Sequence, residues 1–250
     1  NRAIENLLNN HAQTIGESVA GGFYASIFGN KVDASVEAYY KQMNNYLDYK
    51  SGAVILMNEN IAQDVIITKG RAYGVEVMLK KSLGKLNGWL SYTYSKTQLK
   101  DRDGQGVNAI NGGKWYNASY DKPHDAKLVA NYKFTHRISI SANADYSTGR
   151  PITVPVAKYE YGGGYRLFYS DRNSYRIPDY MRLDLALNIE PTHKLRAFTH
   201  FSFSLGVYNV TGRKNVYSVY FDTDYSGQIQ GHKLCIFGAP IPYLTLNFKF

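Results

Sequence analysis

Hydrophobic and polar residues alternate one by one through most of this chain. At its C-terminus Leu244, Leu246, Phe248 and Phe250 interleave with Tyr243, Thr245, Asn247 and Lys249. Met181, Leu183, Leu185, Leu187 and Ile189 interleave with Arg182, Asp184, Ala186, Asn188 and Glu190 in the same way. Similar runs cover 32–40, 138–146 and 201–208, with weaker ones at 17–28, 72–81, 87–96 and 124–134. A period of two places one apolar and one polar face on an extended strand. The pattern predicts about nine strands, each close to the roughly 9–11 residues that a tilted membrane strand requires. No segment of comparable strength has a helical period.

The connections between these runs alternate in length. Short ones fall near Gly29–Lys31, Ser82–Lys85, Phe134–Arg137 and Pro191–Ala197. Long ones fall near Asn45–Gly70, Gln98–Lys122, Gly149–Pro178 and Arg213–Gly238. Four structureless loops of about 25–30 residues are rare in a compact soluble domain. They are the rule in outer-membrane barrels, which have short periplasmic turns and long extracellular loops. Alternation alone does not separate a sandwich from a barrel, since each has one apolar face. The chain ends on an aromatic, Phe250, on the apolar face of its last strand, like the terminal signature of outer-membrane proteins. Placing Phe250 at the periplasmic side puts all four short connections there and all four long ones outside. An odd strand number does not close an antiparallel barrel, and an open edge in lipid leaves backbone groups unpaired at several kcal/mol each. The expectation is therefore a portion of a larger barrel. The polar stretch Asn1 to Gly16 then reads as the end of an extracellular loop.

Composition agrees with this reading. The 250 residues carry 29 Lys+Arg against 20 Asp+Glu, and 23 Tyr against 11 Phe. The mean hydropathy is −0.38. The longest apolar run, Ala53 to Met57, is far short of the roughly 18 residues of a transmembrane helix. Tyr has an apolar ring and a polar tip, so it suits water–lipid boundaries. One cysteine, Cys235, excludes a disulfide framework and reads as a free thiol without a role. The first residues lack the pattern of a signal peptide, which is absent or already removed. The net charge of +9 is dispersed, without the basic stripe of a nucleic-acid-binding protein. Cations such as Lys100, Arg102, Lys158 and Arg166 would instead face lipopolysaccharide phosphates.

Few residues suggest catalysis. His124-Asp125, and Asp222 and Asp224 with His232, are the candidates, and rim proteases of outer-membrane barrels do use Asp and His. The simpler reading is that His124-Asp125 fixes the start of a strand by hydrogen bonds. Asp101-Arg102-Asp103-Gly104 and Asp222-Thr223-Asp224 lack the full spacing of a calcium loop and read as solvated turns. No catalytic, cofactor or metal residue is assigned. Two groups remain as binding candidates. Trp115, Tyr116, Tyr161, Tyr165 and Tyr169 lie in long loops, where aromatics either pack the loops into an outer girdle or stack on a ligand. Arg182, Asp184 and Glu190 fall on the inward face, where they either contact whatever fills the lumen or line a path through it.

Several stretches carry a family resemblance. Arg71–Lys81 followed by Gly88–Thr97 resembles a strand–turn–strand of TonB-dependent receptors. Gly113-Lys114-Trp115-Tyr116, Tyr120–Asp125, Ser147–Thr153, Arg172–Asp184 and Tyr208–Asn215 resemble, in order, the C-terminal barrel half of that family, particularly receptors of Bacteroidetes type. The resemblance implies an all-β fold: an antiparallel transmembrane β-barrel portion, about nine strands of a roughly 22-stranded wall around a plug domain. It implies TonB-dependent nutrient uptake across the bacterial outer membrane without catalysis. No plug or TonB box is recognisable in the sequence, so the chain is expected to form wall and loops only. The implied partners are the plug and N-terminal strands of the same receptor, the TonB complex, outer-membrane lipid and lipopolysaccharide, and a surface lipoprotein. The alternative is a small self-contained barrel acting as a rim hydrolase or adhesin.

Overall fold

A computed structural model describes residues 15–49, 65–104, 109–190, 200–223, 228–236 and 238–249. Nine long strands follow one another along a single antiparallel sheet. They are β1 (Ile15–Ile27), β2 (Val32–Tyr49), β3 (Val65–Lys81), β4 (Leu86–Asp101), β6 (His124–Lys133), β7 (Ile138–Ser147), β12 (Tyr180–Ile189), β13 (His200–Tyr208) and β16 (Ile241–Lys249). A two-residue strand, β5 (Tyr116–Asn117), pairs beside the end of β4. Every neighbouring pair is antiparallel, and among the described residues β1 pairs with β2 alone and β16 with β13 alone. The sheet is a section of wall that is not closed on itself. Phe250, residues 1–14 and Pro191–Ala197 lie outside the described residues.

The register lines up the apolar positions across the whole sheet. One row runs Phe23, Val36, Val77, Tyr92, Ala126, Tyr146, Met181. A lower row runs Leu86, Tyr132, Ile140, Leu187, Leu205, Leu244. These side chains point to solvent: Phe23 is 87% exposed, Leu205 54% and Leu244 61%. The opposite face carries rows such as Ser91, Lys127, Asp145, Arg182. It is this polar face that is shielded, with Asp184 only 8% exposed. A water-soluble sheet would have the reverse arrangement. An apolar band of this extent facing outward matches a wall whose outer face meets lipid and whose inner face is polar. Aromatics border the band on both sides. Tyr40, Tyr73, Tyr92, Tyr94 and Tyr146 lie toward the long connections; Phe28, Phe134, Phe201 and Phe248 lie toward the short ones. Such girdles mark the two water–lipid boundaries.

Two expectations are corrected. The first strands exceed membrane length: β1, β2, β3 and β4 have 13, 18, 17 and 16 residues. They keep pairing beyond the apolar band because the chain there is still rich in Tyr, Thr and Ile. The long connections are also not structureless. The segment after β7 holds a hairpin, β9 (Pro155–Tyr161) with β10 (Gly164–Tyr169), and a short pair, β8 (Pro151–Ile152) with β11 (Tyr175–Arg176). The segment after β13 holds a second hairpin, β14 (Val216–Thr223) with β15 (Ile229–Cys235). Both hairpins are polar and aromatic on each side, so they lack the one-sided alternation that marks the wall strands.

A bulge in β2 reorganises the loop-side end. Met43 pairs with Gly70 but Tyr46 pairs with Thr68, so β2 has one residue too many between them. The extra residue, Asn45, takes φ +56°, a region that Asn tolerates. The parity of β2 flips, and Tyr46 and Asp48 join Leu99 on the inner face. There Leu99, Tyr116 and Ala118 form a buried cluster with Tyr46 and Ile110 against it.

Candidate ligand-facing rim and inner-wall site

Charged residues from distant loops converge on this inner cluster. Arg172, in the segment after β10, donates from Nη2 to Asp48 Oδ1 at 3.0 Å and from Nη1 to the carbonyl of Tyr49. Asp48 Oδ2 accepts the Tyr116 hydroxyl at 2.7 Å. Asn111 fixes the same turn: its side chain accepts from the Arg172 N–H at 2.7 Å and donates to the Arg172 carbonyl at 3.1 Å. Asn173 donates to the carbonyl of Asn117 at 2.7 Å. Beside them Asp121, 2% exposed, accepts from the Thr97 N–H at 2.6 Å and pairs with Arg176. Arg176 also donates to the carbonyls of Asp121 and Gly149. The long segment between β7 and β12 is thereby pinned across β4 to the end of β2. Among the described residues no buried side-chain polar atom lacks a partner. Burial, then the hydrogen bond to Asp48, pushes the Tyr116 hydroxyl far above its ordinary range, so it remains a donor at any physiological pH.

Deeper on the inner face, Arg182 grips Asp184 through Nε at 2.8 Å and Nη2 at 2.7 Å. Asp184 Oδ1 also accepts the Asn209 N–H at 2.8 Å. The Arg182 guanidinium lies 5.2 Å from the centre of the Tyr208 ring. Tyr208 in turn stacks on Tyr243 at 4.3 Å. Opposite Tyr243 the chain has Gly206, where a Cβ would lie 2.4 Å from the Tyr243 ring. A cavity of about 390 Å³ opens against Tyr180, Arg182, Tyr208, Asn209 and Asn215. An adjoining one of about 230 Å³ reaches under the loops to Lys122, Gly149, Arg150 and Tyr217. A fixed guanidinium beside stacked phenols can bind an anionic or hydroxyl-rich ligand by charge-assisted hydrogen bonds and ring contact. Among the described residues it brings no nucleophile and base within reach of each other.

The candidates from the sequence separate into distinct places. Arg182 and Asp184 meet as described. Glu190 lies past the other end of β12, where its N–H bonds the Arg137 carbonyl, roughly 25 Å along the strand from Arg182. Tyr161, Tyr165 and Tyr169 project from the β9–β10 hairpin and are 71%, 65% and 51% exposed. Trp115 covers Arg71, with the guanidinium 4.3 Å from its ring, on the outer face. Tyr116 is 3% exposed and bonded to Asp48: packing at the bulge takes it inward, among the loops. His124 and Asp125 are neighbours on a strand and point to opposite faces. His124 accepts or donates at Tyr92 Oη (2.8 Å) in the outer girdle, and Asp125 pairs with Lys127 at 3.5 Å. Asp222 and His232 do meet, at 3.0 Å, on the exposed β14–β15 hairpin; Asp224 lies outside the described residues. Asp101 accepts from the N–H groups of Gly104 and Ile110 and organises a turn. Cys235 is half-buried in β15.

The quoted motifs hold this framework together. Asn215 accepts the Met181 N–H at 3.0 Å and donates to the Met181 carbonyl at 2.9 Å, extending the ladder of β12 with a side chain. Asp179 accepts the Gly149 N–H at 2.9 Å and the Tyr146 hydroxyl at 2.8 Å. These partnerships, and those of Asp48 and Asp121, join positions far apart in sequence, so alternation could not reveal them.

The family model for the TonB-dependent-receptor-like β-barrel matches residues 14–210. The chain belongs to the TonB-dependent receptor β-barrel family. No curated protein sequence gives a significant match. The fold is similar to that of the ferric-catecholate import receptor Fiu of Escherichia coli K12, with a TM-score of 0.59 at 16% identity over 95% of this chain. It is also similar to the outer-membrane transporter YddB of E. coli (TM-score 0.55, 14% identity, 94% of this chain). A third likeness is to the ferripyoverdine receptor of Pseudomonas aeruginosa (TM-score 0.53, 14% identity, 92% of this chain). The chain spans 28%, 32% and 26% of the lengths of these receptors. They are transport receptors of the outer membrane, and TonB-dependent receptors supply the barrel to which this section of wall corresponds.

Proposed function

We propose that this chain forms the C-terminal part of the barrel wall and extracellular loops of a TonB-dependent importer, of Bacteroidetes type, integral to the bacterial outer membrane. The observation that carries the reading is the inverted sheet: a continuous apolar band outside and a hydrogen-bonded polar face inside. The plug, the remaining strands and the contact with TonB belong to the rest of the receptor. The inner face, with Arg182 at its cavity, faces the plug or the ligand path. Tyr161, Tyr165 and Tyr169 offer rings to a nutrient arriving from outside, and a surface lipoprotein would meet the same loops. The chain has no role in catalysis or in binding nucleic acid.

The test is made on the complete receptor in its own cells. It should fractionate with the outer membrane, and deleting its gene should lower uptake of a nutrient as deleting the TonB protein does. Ferric siderophores and oligosaccharides are the panel to supply. Recovery of the receptor outside the outer membrane would overturn the location. Uptake that is lost with the receptor but unchanged without TonB would overturn the energy coupling.

A further inference from the structure

One apolar patch interrupts the polar inner face of the wall. Trp89 on β4 pairs with Lys80 on β3 and with Val129 on β6, and the row continues through Asn143 to Asp184. Parity therefore puts Trp89 and Val129 on the face that holds Asp184. Met78 shares that face opposite Ser91, diagonal to Trp89 and within reach of a long side chain. Below the Leu99 cluster, among the described residues, the other inward positions of β2 to β12 hold Ser, Thr, Asn, Ala, Gly, Tyr or charged side chains. The three apolar side chains are thus contiguous across three strands, and Met78 is 40% exposed. Lys80 and Lys127 flank them; their stems extend the apolar area and their ammonium groups edge it. An apolar centre with a polar border is how a contact between protein surfaces is built.

The inward face of β7, β12 and β13 is made differently. Asn188 Nδ2 donates to Ser141 Oγ at 2.7 Å, and its Oδ1 accepts the Ser204 hydroxyl at 2.7 Å. Ser141 in turn donates to Asn131 Oδ1 at 3.3 Å. Ala186 and Gly206 pair between them, so this side is shallow, uncharged and satisfied within itself. It offers a neighbour only exchangeable hydrogen bonds, whereas Met78, Trp89 and Val129 offer apolar burial that is lost when the contact opens. The patch faces inward, where lipid does not reach. This chain spans 26–32% of the lengths of the receptors it resembles, and TonB-dependent receptors carry a plug inside the barrel.

We propose that Met78, Trp89 and Val129 form an apolar seat that holds the plug of the same receptor, through apolar side chains of the plug. The seat makes β3, β4 and β6 the anchored side of the lumen, and leaves the hydrogen-bonded face of β7, β12 and β13 as the weakly held side. The proposal rests on the reading of the chain as receptor wall.

The test uses the complete receptor in planar bilayers, where the plug blocks potassium chloride conductance until urea releases it. Replacing the seat by Met78→Ser, Trp89→Ser and Val129→Ser should raise the open fraction at a fixed urea concentration about 100-fold, the scale of one or two buried apolar side chains. Replacing the opposite face by Ser141→Ala, Asn188→Ala and Ser204→Ala should change it about threefold at most, because those groups are removed together with their partners. Migration of the folded barrel in unheated gels reports that the wall is intact. A second arm leaves the rest of the seat in place: p-benzoylphenylalanine substituted for Trp89 and irradiated in cells should join the wall to plug residues of the same receptor, identified by mass spectrometry. Equal urea responses of the two triple variants would overturn the seat, as would adducts from position 89 to a separate protein or to lipid. A receptor recovered in the outer membrane without plug adducts overturns the seat alone, whereas a receptor found elsewhere overturns the reading beneath it.

Discussion

Asp121, at the end of the connection between β4 and β6, is bonded to Arg176, 55 residues further along the chain. The Asp121 side chain is 1% exposed and that of Arg176 27%. Its other oxygen accepts the Thr97 N–H, so one carboxylate joins a wall strand to two of the long connections. Replacing it strands a guanidinium and a backbone N–H without acceptors. Asp121→Ala should therefore cost about 2–4 kcal/mol of stability in detergent, read by denaturant unfolding. Limited proteolysis should show cleavage in 149–178 well before the wall strands open.

Gly149 marks a closer approach. A Cβ there would lie 1.7 Å from the Ile177 carbonyl oxygen, which is backbone and has no rotamer to yield. Gly149→Ala should push apart the two ends of the long segment and break the Gly149–Asp179 hydrogen bond. The expected outcome is loop cleavage as rapid as in Asp121→Ala, with the strand content by circular dichroism unchanged. Loss of strand signal would show that the rim and the wall fold as one unit.

The wall was legible in the sequence because its signal is local. Leu183, Leu185 and Leu187 alternate with Asp184 and Ala186, and that suffices to fix a strand and its two faces. The inward placing of Arg182 and Asp184 followed from the same parity. The rim was not legible, since what orders it is pairing at long separation. Nothing near Asp48 in sequence points to Arg172. The bulge at Asn45 turns Asp48 inward against the parity read from 32–40. The β9–β10 and β14–β15 hairpins escaped for another reason. Water or other loops meet both of their faces, so no alternation is imposed on them.

Asn215 imitates a strand. Its amide supplies both an acceptor and a donor to the backbone of Met181, where β13 has already turned away. Asn215→Asp keeps the acceptor and loses the donor, and Asn215→Leu loses both. The first should cost about 1 kcal/mol and the second about 2–3 kcal/mol, since the Met181 groups are left unpaired. Hydrogen exchange at the Met181 amide separates the two variants: slow in native and Asn215→Asp protein, fast in Asn215→Leu.

Asp179 makes the rim sensitive to acid. The Gly149 N–H, the Tyr146 hydroxyl and the nearby Arg213 and Arg176 hold its carboxyl below the ordinary value of 3.8. A carboxyl whose folded value is depressed binds its proton more readily when the loop is released. Its contribution is complete above the ordinary carboxylate range and disappears as pH falls through the depressed folded value. Loop cleavage in 149–178, measured with an acid-active protease, should therefore be flat from pH 7 to 5 and rise below pH 4. Asp179→Asn keeps an acceptor for Gly149 but cannot titrate, so its cleavage should start higher and lose this step. An unchanged acid step in Asp179→Asn would overturn the assignment of the transition to Asp179.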